Sequence, residues 1–335
     1  MLVVSCVTST ALNDKTKAQD DKALQKQVLK ERIQSRMAAQ NRIIDSLIQV
    51  KDPRLEKDKD GNFIRPNRVT PSGKPLYYET YHGRSHRKAI KADVVGTGGR
   101  AGYNLTGTGV HIGVWDGGHV FAAHDEFTGG PDYFDPSLSI EISDADVAAI
   151  WSSHPTSVTS IMVAKGLAHK DTYDITGIAP GVAKIYSYDW DNDLFEIFEQ
   201  LQLRANPDFI LSNHSYGYPL VDNNNETIPN QYIGDYSDWS ALLDEFAYVY
   251  SNYLHVLAAG NDGRESYPEQ QVTGLDQLTG STTAKNVLTV GSFSMNDTGT
   301  NKGVTDFSSA GPTNDFRIKP EVCGPGENLG VAAWA

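Results

Sequence analysis

Three polar side chains stand where apolar runs end, and each is of a type that can do chemistry. Asp116 closes the run Gly109-Val110-His111-Ile112-Gly113-Val114-Trp115-Asp116-Gly117-Gly118. A carboxylate there could orient a histidine, bind a metal or cap a turn, since Asp-Gly is also a common turn pair. His154 lies in Ser153-His154-Pro155-Thr156-Ser157-Val158. Ser153 suits an N-cap and Pro155 a first helical turn, which puts an imidazole at a helix start, available for proton transfer or for packing. Asn261 follows Val256-Leu257-Ala258-Ala259-Gly260 and precedes Asp262-Gly263. An amide is a neutral donor that can face a developing oxyanion. The alternative is a turn asparagine beside a turn aspartate, Asp262.

The elements that carry these residues follow from hydrophobic patterning. Val110 to Trp115 hardly alternates and is flanked by glycines, as in a strand buried on both faces of a parallel sheet. Further strand candidates are 184–188, 208–213, 254–259 and 287–291, and helix candidates are 154–166, 191–203 and 237–251. Apolar runs alternating with helical spacers predict an α/β fold, a three-layer doubly wound parallel sheet with right-handed connections. Such sheets place their sites at the carboxyl ends of the strands, where Asp116 and Asn261 fall.

At 335 residues, 39% hydrophobic and 10% aromatic, the chain has material for a large core. It contains no run of 18 apolar residues, so no transmembrane segment is expected. Residues 1–75 hold 15 Lys/Arg against 9 Asp/Glu, whereas residues 76–335 hold 14 against 33. A body this acidic repels phosphate, which argues against a nucleic-acid partner. The basic leader could dock on that body, but it reads as a solvated tail. Within it, Leu24, Val28, Ile33, Met37, Ile44 and Ile48 form the narrow stripe of an amphipathic helix over 17–50. Residues 51–75 have linker composition, so 7–75 form a charged helical leader and the main domain runs over 76–335. Residues 1–6 resemble the end of a lipoprotein signal, which would put a lipid anchor at Cys6; an arbitrary chain start is the other reading. Cys6 and Cys323 are too few for a disulfide framework, and Cys323 reads as a small buried hydrophobe.

The order Asp116, His154, Asn261 gains weight from four more segments: Gly177-Ile178-Ala179-Pro180-Gly181, Asn213-His214-Ser215-Tyr216-Gly217, Phe307-Ser308-Ser309-Ala310-Gly311-Pro312-Thr313 and Arg317-Ile318-Lys319-Pro320-Glu321-Val322. Together they resemble the subtilisin-like serine peptidases over about 105–330, a family whose triad runs Asp, His, Ser along the chain. Trp115-Asp116-Gly117-Gly118 and Ser187-Tyr188-Asp189-Trp190 look most like its secreted Bacteroidetes-type members. The resemblance implies polypeptide substrates, a secreted or cell-envelope location, no cofactor for catalysis, and calcium as a structural ion that members often carry. It implies that Asp116 holds one tautomer of His154, that His154 shuttles the proton, and that Asn261 donates to the oxyanion. Ser215, Tyr216 and Gly217 would pair with an extended substrate as an added strand. Tyr216 would either meet apolar substrate side chains or pack.

The chain also departs from the family. The usual His-Gly-Thr-His-Val-Ala-Gly is kept only at His154, Thr156 and Val158, and Ser160 in place of Gly is expected to push the helix outward. The family's nucleophile motif, Gly-Thr-Ser-Met-Ala, does not occur before Ala335, and Ser281, Ser308 and Ser309 stand in other contexts. The chain as it stands is therefore expected to be a fragment lacking its nucleophile and hydrolytically inactive, because triad members act as a unit. A non-catalytic binding or scaffold protein on the same fold is the alternative. A third reading is a metal-dependent hydrolase using Asp116, His119 and His154, with His124, Asp125 and Glu126 nearby; no spacing matches a zinc helix motif. The acidic loops Asp189-Asp191-Asp193 and Asp222-Asn223-Asn224-Asn225-Glu226 could hold calcium or simply be solvated.

Overall fold

A computed structural model describes residues 21–39, 42, 64–69, 75–80, 87, 89–129, 137–144, 150–167, 176–202, 206–222, 226–270, 272–295, 301–326 and 331. The helices are α1 (residues 21–39), α2 (Ala92–Val95), α3 (Asp125–Thr128), α4 (Ser153–Val163), α5 (Asp193–Gln202) and α6 (Asp238–Val249). The strands are β1 (Ile64–Val69), β2 (Pro75–Thr80), β3 (His111–Asp116), β4 (Ser139–Ile142), β5 (Lys184–Asp189), β6 (Phe209–His214), β7 (Tyr216–Gly217), β8 (Leu254–Ala258), β9 (Leu288–Met295), β10 (Asn301–Val304) and β11 (Val322–Pro325). Cys6, the end of the helix expected over 17–50, most of the 51–75 segment and Asn223 to Asn225 lie outside the described residues.

The main sheet has the order β10-β9-β8-β6-β3-β5-β4, with β11 beside β9. Every pairing is parallel except β10 on β9. The expected parallel α/β sheet is thus the observed one, with an antiparallel edge. β3 sits inside it because both of its faces are apolar. Ile112 and Val114 join Ile185, Phe127 of α3 and Val163 of α4 in one cluster. Trp115 faces the other way, among Tyr186, Tyr188, Phe209 and the buried residues of α5 and α6. Gly113 is needed on that second face, since a Cβ there would meet the Trp115 ring at 2.1 Å. The indole instead stacks on Tyr188, 4.5 Å between centroids.

The leader does not behave as a solvated tail. Leu29 and Ile33 of α1 are fully buried in the cluster that holds α5 and α6, and Met37 packs against it. Leu24 and Val28, expected on the apolar stripe, are exposed, so the buried face is Leu29-Ile33-Met37 at four-residue spacing. Arg32 pairs with Glu245, Arg36 with Asp238, and Lys30 lies over the Phe198 ring. Residues 64–69 depart from the linker reading: as β1 they pair antiparallel with β2, which continues into β7 as a three-stranded sheet. Among the described residues no helix is long and apolar enough to cross a membrane.

Candidate active site

β3 delivers Asp116 to the carboxyl edge on the same face as Ile112 and Val114, the face covered by α4. The helix starts at Ser153, with Ser152 in the extended N-cap position, one residue earlier than the sequence suggested. Ser152 caps without a side-chain bond; its carbonyl accepts from Thr156 Oγ1 at 2.7 Å. Pro155 falls within the first turn, where a missing N–H goes unnoticed. His154 therefore projects from the helix's first turn onto the end of β3. Its Nδ1 lies 2.7 Å from Asp116 Oδ1 and 2.9 Å from Oδ2. Asp116 is fully buried and His154 is 3% exposed. Asp116 Oδ1 also accepts the Gly117 N–H at 2.7 Å. A carboxylate held in this way fixes the orientation and the tautomer of the imidazole. Ser160 is buried and its hydroxyl donates to the Ser157 carbonyl, and with it in place His154 still reaches Asp116.

Behind Asp116 the site is braced. Trp115 Nε1 donates to Glu196 Oε2 at 2.8 Å. Burial, reinforced by the neighbouring Asp144 carboxylate, pushes the Glu196 carboxyl well above the usual carboxylate range. His119 Nε2 lies 3.2 Å from Asp144 Oδ2. The His119 backbone binds Ile150 and Ser152 on the segment leading into α4. His119 thus faces Asp144, and His124 caps α3 through Nδ1. Among the described residues no group of three His, Cys, Asp or Glu side chains is set to hold a metal. The Asp189, Asp193 and Asp222 carboxylates each accept a nearby backbone N–H, from Asp191, Leu194 and Glu226.

Asn261 is exposed on a bend after β8, at the same carboxyl edge as Asp116, with β6 lying between the two strands. Ser215 is half-buried beside β6 and accepts from Asn213 Nδ2 at 2.9 Å. Tyr216 packs inward and does not present its ring to a substrate. It is 6% exposed, and its hydroxyl joins His214 Nδ1 and Asp193 Oδ2 at 2.8 and 3.1 Å. β7 itself is already paired: Gly217 stands opposite Glu79 and Tyr216 opposite Thr80 of β2, antiparallel.

Two features of the site were not legible beforehand. The β2 pairing is a long-range contact with no local signal. Asp262, read as a turn residue, is buried, and its Oδ1 accepts the Leu220 N–H at 2.8 Å. Burial pushes its carboxyl up to about 6, against the hydrogen bonds from Leu220 and Ser309. Cys323 is half-buried and free, and burial raises its thiol.

The sequence matches the subtilase family, Peptidase_S8, over residues 43–335. Among solved structures, the chain is similar to the Clostridium perfringens CspB protease, at 14% identity over 74% of this chain and 81% of that one, with a TM-score of 0.51. It is also similar to the S41 psychrophilic protease, at 19% identity over 73% and 74% of the two chains, with a TM-score of 0.44.

Proposed function

This chain belongs to the subtilase family, and from that premise we propose that it is the body of a serine endopeptidase whose proton shuttle is the Asp116–His154 pair. The contact of His154 Nδ1 with both Asp116 oxygens carries the reading. The buried carboxylate orients the imidazole and stabilises the imidazolium. His154 Nε2 takes the proton from a serine hydroxyl as it attacks the peptide carbonyl, then returns it to the leaving amine. Asn261 donates to the oxyanion formed in between. The serine is not assigned to any residue of 1–335, and that stretch alone is expected to be inactive. The leader acts as a pro-segment that reaches past residue 75 to the end of β2 at Thr80: β2 lies along β7 where a substrate peptide would add as a strand.

The test compares residues 1–335 with the gene product read through to its stop codon, each with the leader removed. The longer product is expected to cleave peptide amides and to be labelled at serine by a phosphonyl or sulfonyl reagent, and the shorter one to do neither. Asp116→Asn and His154→Ala should each lower kcat by at least about 10²-fold. A His154→Ala protein with wild-type turnover, or a read-through product that takes no label, refutes the peptidase.

A further inference from the structure

Resting on the reading of Asn261 as oxyanion donor, we propose that Asp262 is a positioning residue: its buried carboxylate ties the loop that carries Asn261 to the segment leaving β7, and so fixes the amide donor relative to the bound peptide. The ties are specific. Oδ1 accepts the Leu220 N–H at 2.8 Å, three residues past Gly217. Oδ2 accepts the Ser309 hydroxyl at 3.2 Å, and Ser309 Oγ in turn accepts the Asp262 N–H at 2.9 Å. On the other side of Asn261, the Gly260 carbonyl accepts the Ser309 N–H at 3.1 Å. Gly260 itself has φ 116°, and a Cβ there would meet Ser309 Oγ at 2.6 Å. Asn261 is thus an exposed residue whose two chain neighbours are both fastened to Ser309, and one of them also to the peptide-binding strand's continuation. Gln277 Nε2 closes the cage on the Asp262 carbonyl at 2.8 Å.

A side chain that serves only the fold would be better uncharged here, since an ionised carboxylate in a buried loop is costly. A carboxylate offers two acceptor oxygens in fixed relation, one for each segment. The donor–oxyanion geometry it holds is of the kind in which displacement by about an ångström costs up to about 10²-fold in rate.

Two measurements test the role. On residues 1–335, Asp262→Ala and, separately, Ser309→Ala should shift the Asn261 side-chain amide resonances in NMR spectra and speed hydrogen exchange at Leu220 or Ser309. Asp262→Asn, which keeps an oxygen for Leu220, should restore them toward wild type. Unmoved Asn261 resonances in a folded variant overturn the proposal; Ser309→Ala decides it should Asp262→Ala fail to fold. On the read-through product, Asp262→Ala should lower kcat by about tenfold or more with KM within about twofold, and Asp262→Asn should recover most of it. In an Asn261→Ala background the same substitution should leave kcat within about twofold. An equal loss in both backgrounds overturns the proposal, because a purely structural defect does not depend on Asn261. A wild-type product with no turnover refutes the peptidase reading alone, and the NMR arm still decides Asp262.

Discussion

Asp262 shows how a single residue can work against stability for the sake of geometry. Its carboxyl titrates near 6 in the folded protein, against an ordinary value of 3.8, because burial penalises the charged form. Between those two pH values the native state holds a proton that the unfolded chain has released. Stability is therefore greatest below the window and falls as pH rises through it, by roughly 1.4 kcal/mol per pH unit and about 3 kcal/mol in all. Asp262→Asn removes the charge and keeps an acceptor. It is expected to raise the unfolding free energy by about 1–3 kcal/mol at pH 7.5 and to change it little at pH 4. Urea titrations at the two pH values check this; an equal effect at both would mean the carboxyl titrates normally.

At the scale of elements, the question is what holds α1 on α5 and α6. Its ion pairs lie on the surface: Arg32 is 43% exposed in its side chain and Asp238 84%. Such pairs contribute about 0–1 kcal/mol each and weaken in salt. Leu29 and Ile33 are fully buried, and truncating a buried Leu or Ile costs about 2–5 kcal/mol. Apolar contact therefore dominates over charge. Ile33→Ala is expected to release the leader, read as rapid proteolysis and amide exchange across 21–39, whereas 1 M salt on the wild type is not. Release by salt alone would reverse that ranking. The same helix shows what sequence patterning can and cannot deliver. Its existence was legible from spacing, but not which of two overlapping stripes faces inward, because only the partner surface decides between Leu24-Val28 and Leu29-Ile33. Likewise β3, β5, β6 and β8, and helices α5 and α6, were legible because each is long and apolar on the face it buries, whereas α4, which buries Thr156, Thr159 and Ser160, was legible from Pro155 in its first turn. The four-residue edge strands β4 and β10, the two-residue β7 and the hairpin β1–β2 were not, since their pairing is set by distant chain. The meeting of Asp116 with His154 was implied by the resemblance to the subtilisin-like peptidases, whereas the burial of Asp262 had no local mark at all.

Across the whole molecule, the acid limb of stability should be governed by histidines sealed in the core rather than by the surface charge. His214 and His255 are almost wholly buried on β6 and β8, next to a cavity of about 30 Å³ lined in part by Tyr216, Leu243 and Thr282. Burial lowers His255 to about 3, and burial together with His255 lowers His214 well below its ordinary value. Both ring nitrogens of His255 lack a partner among the described residues, so nothing offsets the penalty on its charged form. The unfolded chain binds protons at these rings below about 6.5, and the native state does not. For His255 stability is thus intact above that value and falls by about 1.4 kcal/mol per unit as pH drops toward 3, and His214 acts in the same direction. Asp262, with the opposite sign, offsets roughly one histidine between about 6 and 4. Glu196, whose carboxyl burial also raises, opposes the histidines with the same sign as Asp262. His255→Phe places an apolar ring among Phe246 and Tyr253, whose rings lie 5.4 and 4.8 Å away, and takes away one titration. Its unfolding free energy, measured in urea at several pH values, should fall less steeply than that of the wild type by about 1.4 kcal/mol per unit between about pH 6.5 and 4.5. Parallel curves for the two proteins would show that His255 charges freely in the native state and that surface carboxylates set the acid limit.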